Sequence, residues 1–196
     1  MTDDYSGGYR GSNRGRGGYG GPPRERRGIP LSDLDPALTD TSRKVIGSAI
    51  EVHKALGPGF DESVYANALK RELEVNGVTF VADHKIPVKF RDQAVGQSVA
   101  DLFVGDKFLV EVMARPGEVT GYDRAAVRAQ LKAANLDLAL IINFAERRLK
   151  DGLVRVLNIE KINADRGVAP GEGDYDDHAE GGHQGAEGQH HEFDQH

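Results

Sequence analysis

The 196-residue chain contains no cysteine and no tryptophan. The missing thiols exclude a disulfide framework, a thiolate metal centre and a cysteine nucleophile. No apolar run approaches the roughly 18 residues that a membrane-spanning helix needs. The opening stretch, MTDDYSGGYRGSNRGRGGYGG, has no apolar segment of the kind a secretory signal carries. A cytoplasmic protein that does not enter a membrane is therefore expected.

Charge of one sign is scarce except at the C-terminal end. The formal net charge is −6, but residues 41–164 hold 18 Lys/Arg against 16 Asp/Glu. Residues 165–196 hold nine acids and one Arg, so the acidity belongs to that segment.

Residues 1–40 read as an arm and linker. Residues 1–29 contain nine Gly, three Tyr and six Arg, with hardly an aliphatic side chain. Too little apolar surface is present to offset the entropy of ordering such a segment, which predicts disorder. "YRGSNRGRGGYGG" is similar to the RG-rich arms of RNA-binding proteins. Arg10, Arg14 and Arg16 suit phosphate pairing and base stacking, and the tyrosines suit stacking. A solubilising arm without a partner is the alternative. Residues 165–196 read as a second disordered segment, acidic and holding five of the seven histidines. The imidazoles lack the spacing of a structural site, so weak metal capture competes with a simple solvated tail. Such a tail can also fold back on a basic surface.

Between them, residues 41–164 predict one domain. "DTSRKVIGSAIEVHKALG" has helical periodicity, with Asp40, Thr41 or Ser42 available as N-cap and Gly57-Pro58-Gly59 as the break. "DESVYANALKRELEVNG" predicts a second helix closed by Asn76-Gly77. Four strand-like runs follow: "VTFVAD", "KIPVKFR", "QSVADLFVG" and "KFLVEVMA". "GYDRAAVRAQLKAANL" predicts a third helix, and "DLALIINFA" a strand buried on both faces. "RRLKDGLVRVLN" fits strand or helix.

Within "ADLFVGDKFLVEVMA" two acids stand on the two arms of a hairpin, Asp101 and Glu111. Glu111 and Met113 share a face by strand parity. Two carboxylates on adjoining strands are a means of holding a divalent cation, and a glutamate between two valines needs a partner. On the third helix Arg124, Arg128 and Lys132 step by four and share a face, and Arg147, Arg148 and Lys150 follow the apolar strand. These cations fit phosphate binding or plain solvation equally.

Gly59, Glu62 and Tyr65 have the spacing G-x-x-E-x-x-Y after a GPG turn. With "IGSAIEVHKALG" before and "ADLFV", "VE" and "LIINF" after, residues 41–158 resemble the bacterial GxxExxY protein family. That family is similar to the PD-(D/E)XK nuclease superfamily. The resemblance implies an α/β, restriction-endonuclease-like core with a central mixed sheet flanked by helices. It implies metal ligands at Asp101 and Glu111, with Glu62 assisting, and a lysine two residues beyond the glutamate. That position holds Met113. The helical Gln and Tyr of such sites align with Ala126 and Gln130.

Phosphodiester cleavage in such a site uses magnesium or manganese, and the lysine handles the attacking water and developing charge. A thioether does neither. A lysine supplied from elsewhere is the alternative, with Lys132 the open candidate and Lys107, Lys85 and Arg115 the others. Lys107 shares the Met113 face but lies about 20 Å along a straight strand. Tyr65 and His53 read as packing residues. The expected function is nucleic-acid binding, to DNA or RNA, by a degenerate nuclease-like domain with cleavage weak or absent. An active metal-dependent nuclease and a protein-interaction scaffold are the alternatives.

Overall fold

The computed structural model describes residues 34–168 together with Ile29. The Arg10, Arg14 and Arg16 arm and the acidic histidine-bearing segment beyond residue 168 lie outside the described residues.

Helix α1 spans Pro36–Leu56 and α2 spans Glu62–Val75. A hairpin follows, β1 Phe80–Phe90 and β2 Gln93–Val104, then β3 Phe108–Met113. Helix α3, Gly121–Ala134, leads to β4 Leu138–Asn143, β5 Leu153–Leu157 and α4 Ile159–Asp165. The five strands lie in sequence order; β3 and β4 are parallel and the other pairs antiparallel. This is the mixed, helix-flanked α/β sheet expected.

Helix α1 begins earlier than its apolar stripe suggests. Asp35, not residues 40–42, is the N-cap: its carboxylate accepts from Ala37 N at 3.0 Å, and Pro36 occupies the first helical position. Leu34, Leu38 and Ile29 are buried, so folded structure reaches upstream of residue 41. Gly57, at φ +67°, ends the helix.

Two cores sandwich the sheet. Val45, Ala49, Leu69 and Leu73 of α1 and α2 pack on Leu102, Val110, Val112 and Leu140. Val127 and Leu131 of α3 pack on Leu109, Ala139 and Ile141. Strand β4 is buried along its whole length, as its unbroken apolar run requires. "VTFVAD" and "KIPVKFR" belong to one strand rather than two, bent at Asp83, whose φ is +49°. "RRLKDGLVRVLN" resolves into a short 3₁₀ turn, Leu149–Asp151, and β5. Gly152 between them is required, since a Cβ there would lie 2.2 Å from the Asn143 carbonyl oxygen.

Candidate functional site

Strands β2 and β3 pair only over Leu102–Val110, Phe103–Leu109 and Val104–Phe108, then part. Asp101 is the first residue past the pairing. Its Oδ2 accepts from the Val112 backbone N–H at 2.7 Å and so stands in for the missing ladder bond. Directly across lies Glu111, half-buried, whose Oε2 is buried without a hydrogen-bond partner. An orphaned carboxylate oxygen in a strand gap is costly unless protonated or bound to a cation.

The electrostatics agree. Burial, then the charges of Asp101 and Glu62, push the Glu111 carboxyl up to about 7, against the opposing hydrogen bond from the Asp101 backbone. Asp101 is raised by burial and by Asp83 of β1, and lowered by the Val112 N–H and by Lys70. Glu62, at the start of α2, is raised by burial and by Asp101. The three carboxylates therefore sense one another. Among the described residues, however, no three acidic or imidazole side chains are grouped closely enough to hold an ion together. The expected trio of Asp101, Glu111 and Glu62 is thus not a ready-made ligand set, and the close unit is the Asp101–Glu111 pair. A hard cation held by one or two carboxylates and completed by water or phosphate needs no more. The pair and its orphaned oxygen fit magnesium or manganese.

Met113 shares the Glu111 face and packs, half-buried, against the α3-side core with Leu109. No ammonium stands two residues past the glutamate. Of the possible substitutes, Lys85 is exposed on β1, whereas Lys132 Nζ bonds Glu160 of α4 at 2.7 Å and Lys107 bonds Asp35 at 3.2 Å. Arg115 pairs with Asp123. Lys70 of α2, half-buried, went unrecognised in the sequence, yet its charge bears on Asp101. The signal was the step Glu62, Ala66, Lys70, which sets all three on one helical stripe. Ala126 is exposed, and Gln130 Nε2 donates to Ser98 Oγ and to the Val99 carbonyl at 3.3 and 3.1 Å, holding α3 against β2.

Tyr65 packs, as expected. It is fully buried, stacks on Phe144 at 4.7 Å, donates to the Gly57 carbonyl at 2.6 Å and accepts from Phe60 N at 3.1 Å. It pins the glycine turn that launches α2 and so places Glu62. His53 Nε2 donates to the Glu146 carbonyl at 2.8 Å, tying α1 to the loop after β4.

Of the cations expected to meet phosphate, Arg148 pairs with Asp151 and Lys132 with Glu160. Arg124 is half-buried, with its Nε buried and without a hydrogen-bond partner. Arg128 is half-buried on the same flank, and Arg147 is exposed.

A model of the PD-(D/E)XK nuclease superfamily matches residues 39–156, the span that holds the sheet and the carboxylate pair. The chain belongs to the PD-(D/E)XK nuclease superfamily. No curated protein and no solved structure matches it. Asp101 and Glu111 stand where two strands of this matched span part, with Met113 two residues beyond Glu111. Among the described residues, no helix is long and apolar enough to cross a membrane.

Proposed function

We propose that this chain binds nucleic acid through its nuclease-like domain, with Asp101 and Glu111 retaining a divalent-cation site and with cleavage weak or absent. The observation that carries this reading is Glu111's orphaned oxygen across the strand gap from Asp101, beside a methionine packed against the core. The glycine turn held by Tyr65 supports the finer assignment to the GxxExxY group.

Bound magnesium or manganese would supply Lewis-acid polarisation of a phosphodiester and offset charge on its oxygens. The residues' own parts differ. Asp101 is held rigid by the Val112 N–H, so its second oxygen is oriented before any ligand arrives. Glu111 must shed its proton to bind a cation, and at neutral pH it stands near its midpoint. Met113 neither moves a proton nor carries charge, and losing one such charged group typically lowers a rate by about 10²–10³.

A second reading, an active nuclease, is favoured by Lys70, whose charge reaches Asp101 from α2. One assay separates the two. End-labelled DNA and RNA are incubated with the full chain and manganese, and both retention and strand integrity are followed. Retention of intact strands supports the first reading. Cleavage abolished by Lys70→Ala and by Asp101→Asn establishes the second. Absence of retention at low salt overturns both and leaves the scaffold alternative.

A further inference from the structure

The β1–β2 hairpin projects from the sheet as a ribbon rooted at the carboxylate site. Outward from His84–Ala100 its strands pair only with each other. Helix α3 supports the near part, where Ile86 is buried and Gln130 bonds Ser98 and Val99. Beyond it, every residue from Lys89 to Gln97 is exposed.

The strand faces exchange across Asp83 and Asp101. Ala82 and Leu102 belong with the α1–α2 core, whereas Ile86 and Ala100 belong with the α3 core. Lys85, Pro87 and Lys89 therefore line the face turned away from α3. The register shift near the tip leaves β1 in step, because the extra residue, Val95, lies on β2. Arg91 and Asp92 form the two-residue turn.

Three observations set this ribbon apart from ordinary solvated surface. Lys85, Lys89 and Arg91 have no carboxylate partner among the described residues. Arg43, Lys54, Arg71 and Lys161 each lie within 3.0 Å of one. The other exposed cations without one, Lys44, Arg147, Lys150 and Arg155, stand on α1, on β5 and between β4 and β5 rather than together on one projecting ribbon. The Arg91 guanidinium instead lies 5.3 Å from the centroid of Phe90, an aromatic ring that is 63% exposed. Arg91 and Asp92 adopt φ +49° and +63°, the left-handed region where Asn-Gly fits without strain. Pro87, the lysines and the irregularity at Val95 also discourage strand addition at the ribbon's edges. The face, rather than an added strand from a second copy, is the surface offered.

We propose that this ribbon grips nucleic acid, with Lys85 and Lys89 on one face and Arg91 at the tip meeting backbone phosphates. This rests on the nucleic-acid reading above and names its surface. From Ala100 to Gln93 the ribbon spans about 23 Å at about 3.3 Å per residue. A two-stranded ribbon fits a major groove, and a line of cations equally tracks the backbone of a single strand. The shared chemistry is the phosphodiester backbone.

The test is fluorescence anisotropy of the full chain with four probes, single-stranded and duplex DNA and RNA, over a salt series. Lys85→Gln/Lys89→Gln/Arg91→Gln should lose tenfold or more in affinity. It should also flatten the slope of log K against log salt by about 2 to 3, since each phosphate contact contributes about 0.7–0.9. Lys85→Arg/Lys89→Arg should retain binding. Arg43→Gln/Lys54→Gln/Arg71→Gln, with the same charge change on α1 and α2, should stay within about twofold of the parent. Unchanged binding by the ribbon variant overturns this proposal while leaving the nucleic-acid reading intact. A parent chain that binds none of the four probes overturns both.

Discussion

The Asp101 carboxylate and the Val112 backbone N–H meet at 2.7 Å where β2 leaves β3. A side chain there does the work of a sheet ladder, so the same residue closes the fold and opens the site. Its neighbour across the gap, Glu111, has a buried oxygen with no partner. Structural need accounts for the first acid but not the second. The proposed cation site would account for both.

Removing the first acid should therefore have a structural signature. Asp101→Ala leaves the Val112 N–H without its acceptor and should destabilise the domain by about 1–3 kcal/mol. Asp101→Asn keeps an oxygen acceptor and should remain nearer the parent. Thermal unfolding of both variants at pH 6 checks the order, and equal losses would count against the ladder role.

Stability should fall with rising pH because of Glu111. Its folded pKa, about 7, lies above the ordinary glutamate value of 4.5. The folded state thus holds the proton more tightly, a contribution complete below pH 4.5 and lost as pH rises through 7. The whole change is on the order of 3 kcal/mol. Glu111→Gln should flatten this dependence and unfold at higher temperature than the parent at pH 8. Manganese should raise the parent's midpoint at pH 8 and leave that of Glu111→Gln nearly unmoved.

Tyr65→Phe should loosen the turn ahead of α2. The lost hydroxyl bonds the Gly57 carbonyl and accepts from Phe60 N. The expected loss is about 1–3 kcal/mol, with faster amide exchange at Phe60. Unaltered exchange there would show that the turn holds itself.

Gly152→Ala should be the most damaging small change in the fold. A Cβ would press on the Asn143 carbonyl oxygen, whose backbone N–H also bonds the Gly152 carbonyl at 2.9 Å. Pushing β4 from β5 is expected to cost more than about 3 kcal/mol. A soluble variant with a parental unfolding midpoint would contradict the packing described.

Helices α2 and α3 and the buried strand β4 were legible because a single periodicity or an unbroken apolar run specified each. The start of α1 was not. Asp35-Pro36 is a strong cap, but the few apolar residues around it resemble a linker until Leu34 and Leu38 are seen in the core. The bend at Asp83 has no local signal, which is why β1 reads as two strands. Asp101, Glu111 and Met113 were legible from motif and parity. Lys70 was not, because its relation to Asp101 crosses from a helix to a strand. For the same reason the partner of Lys132, Glu160, appears only once α4 is in place.

The most direct test is a calorimetric titration of manganese at pH 7.5 into the full chain and into Asp101→Asn/Glu111→Gln. Histidines of the C-terminal segment contribute equally to both, so the difference isolates the carboxylate pair. The expected result is one additional site in the parent, absent from the double variant. Identical titrations would mean that the pair takes no cation, and the proposed site would be wrong.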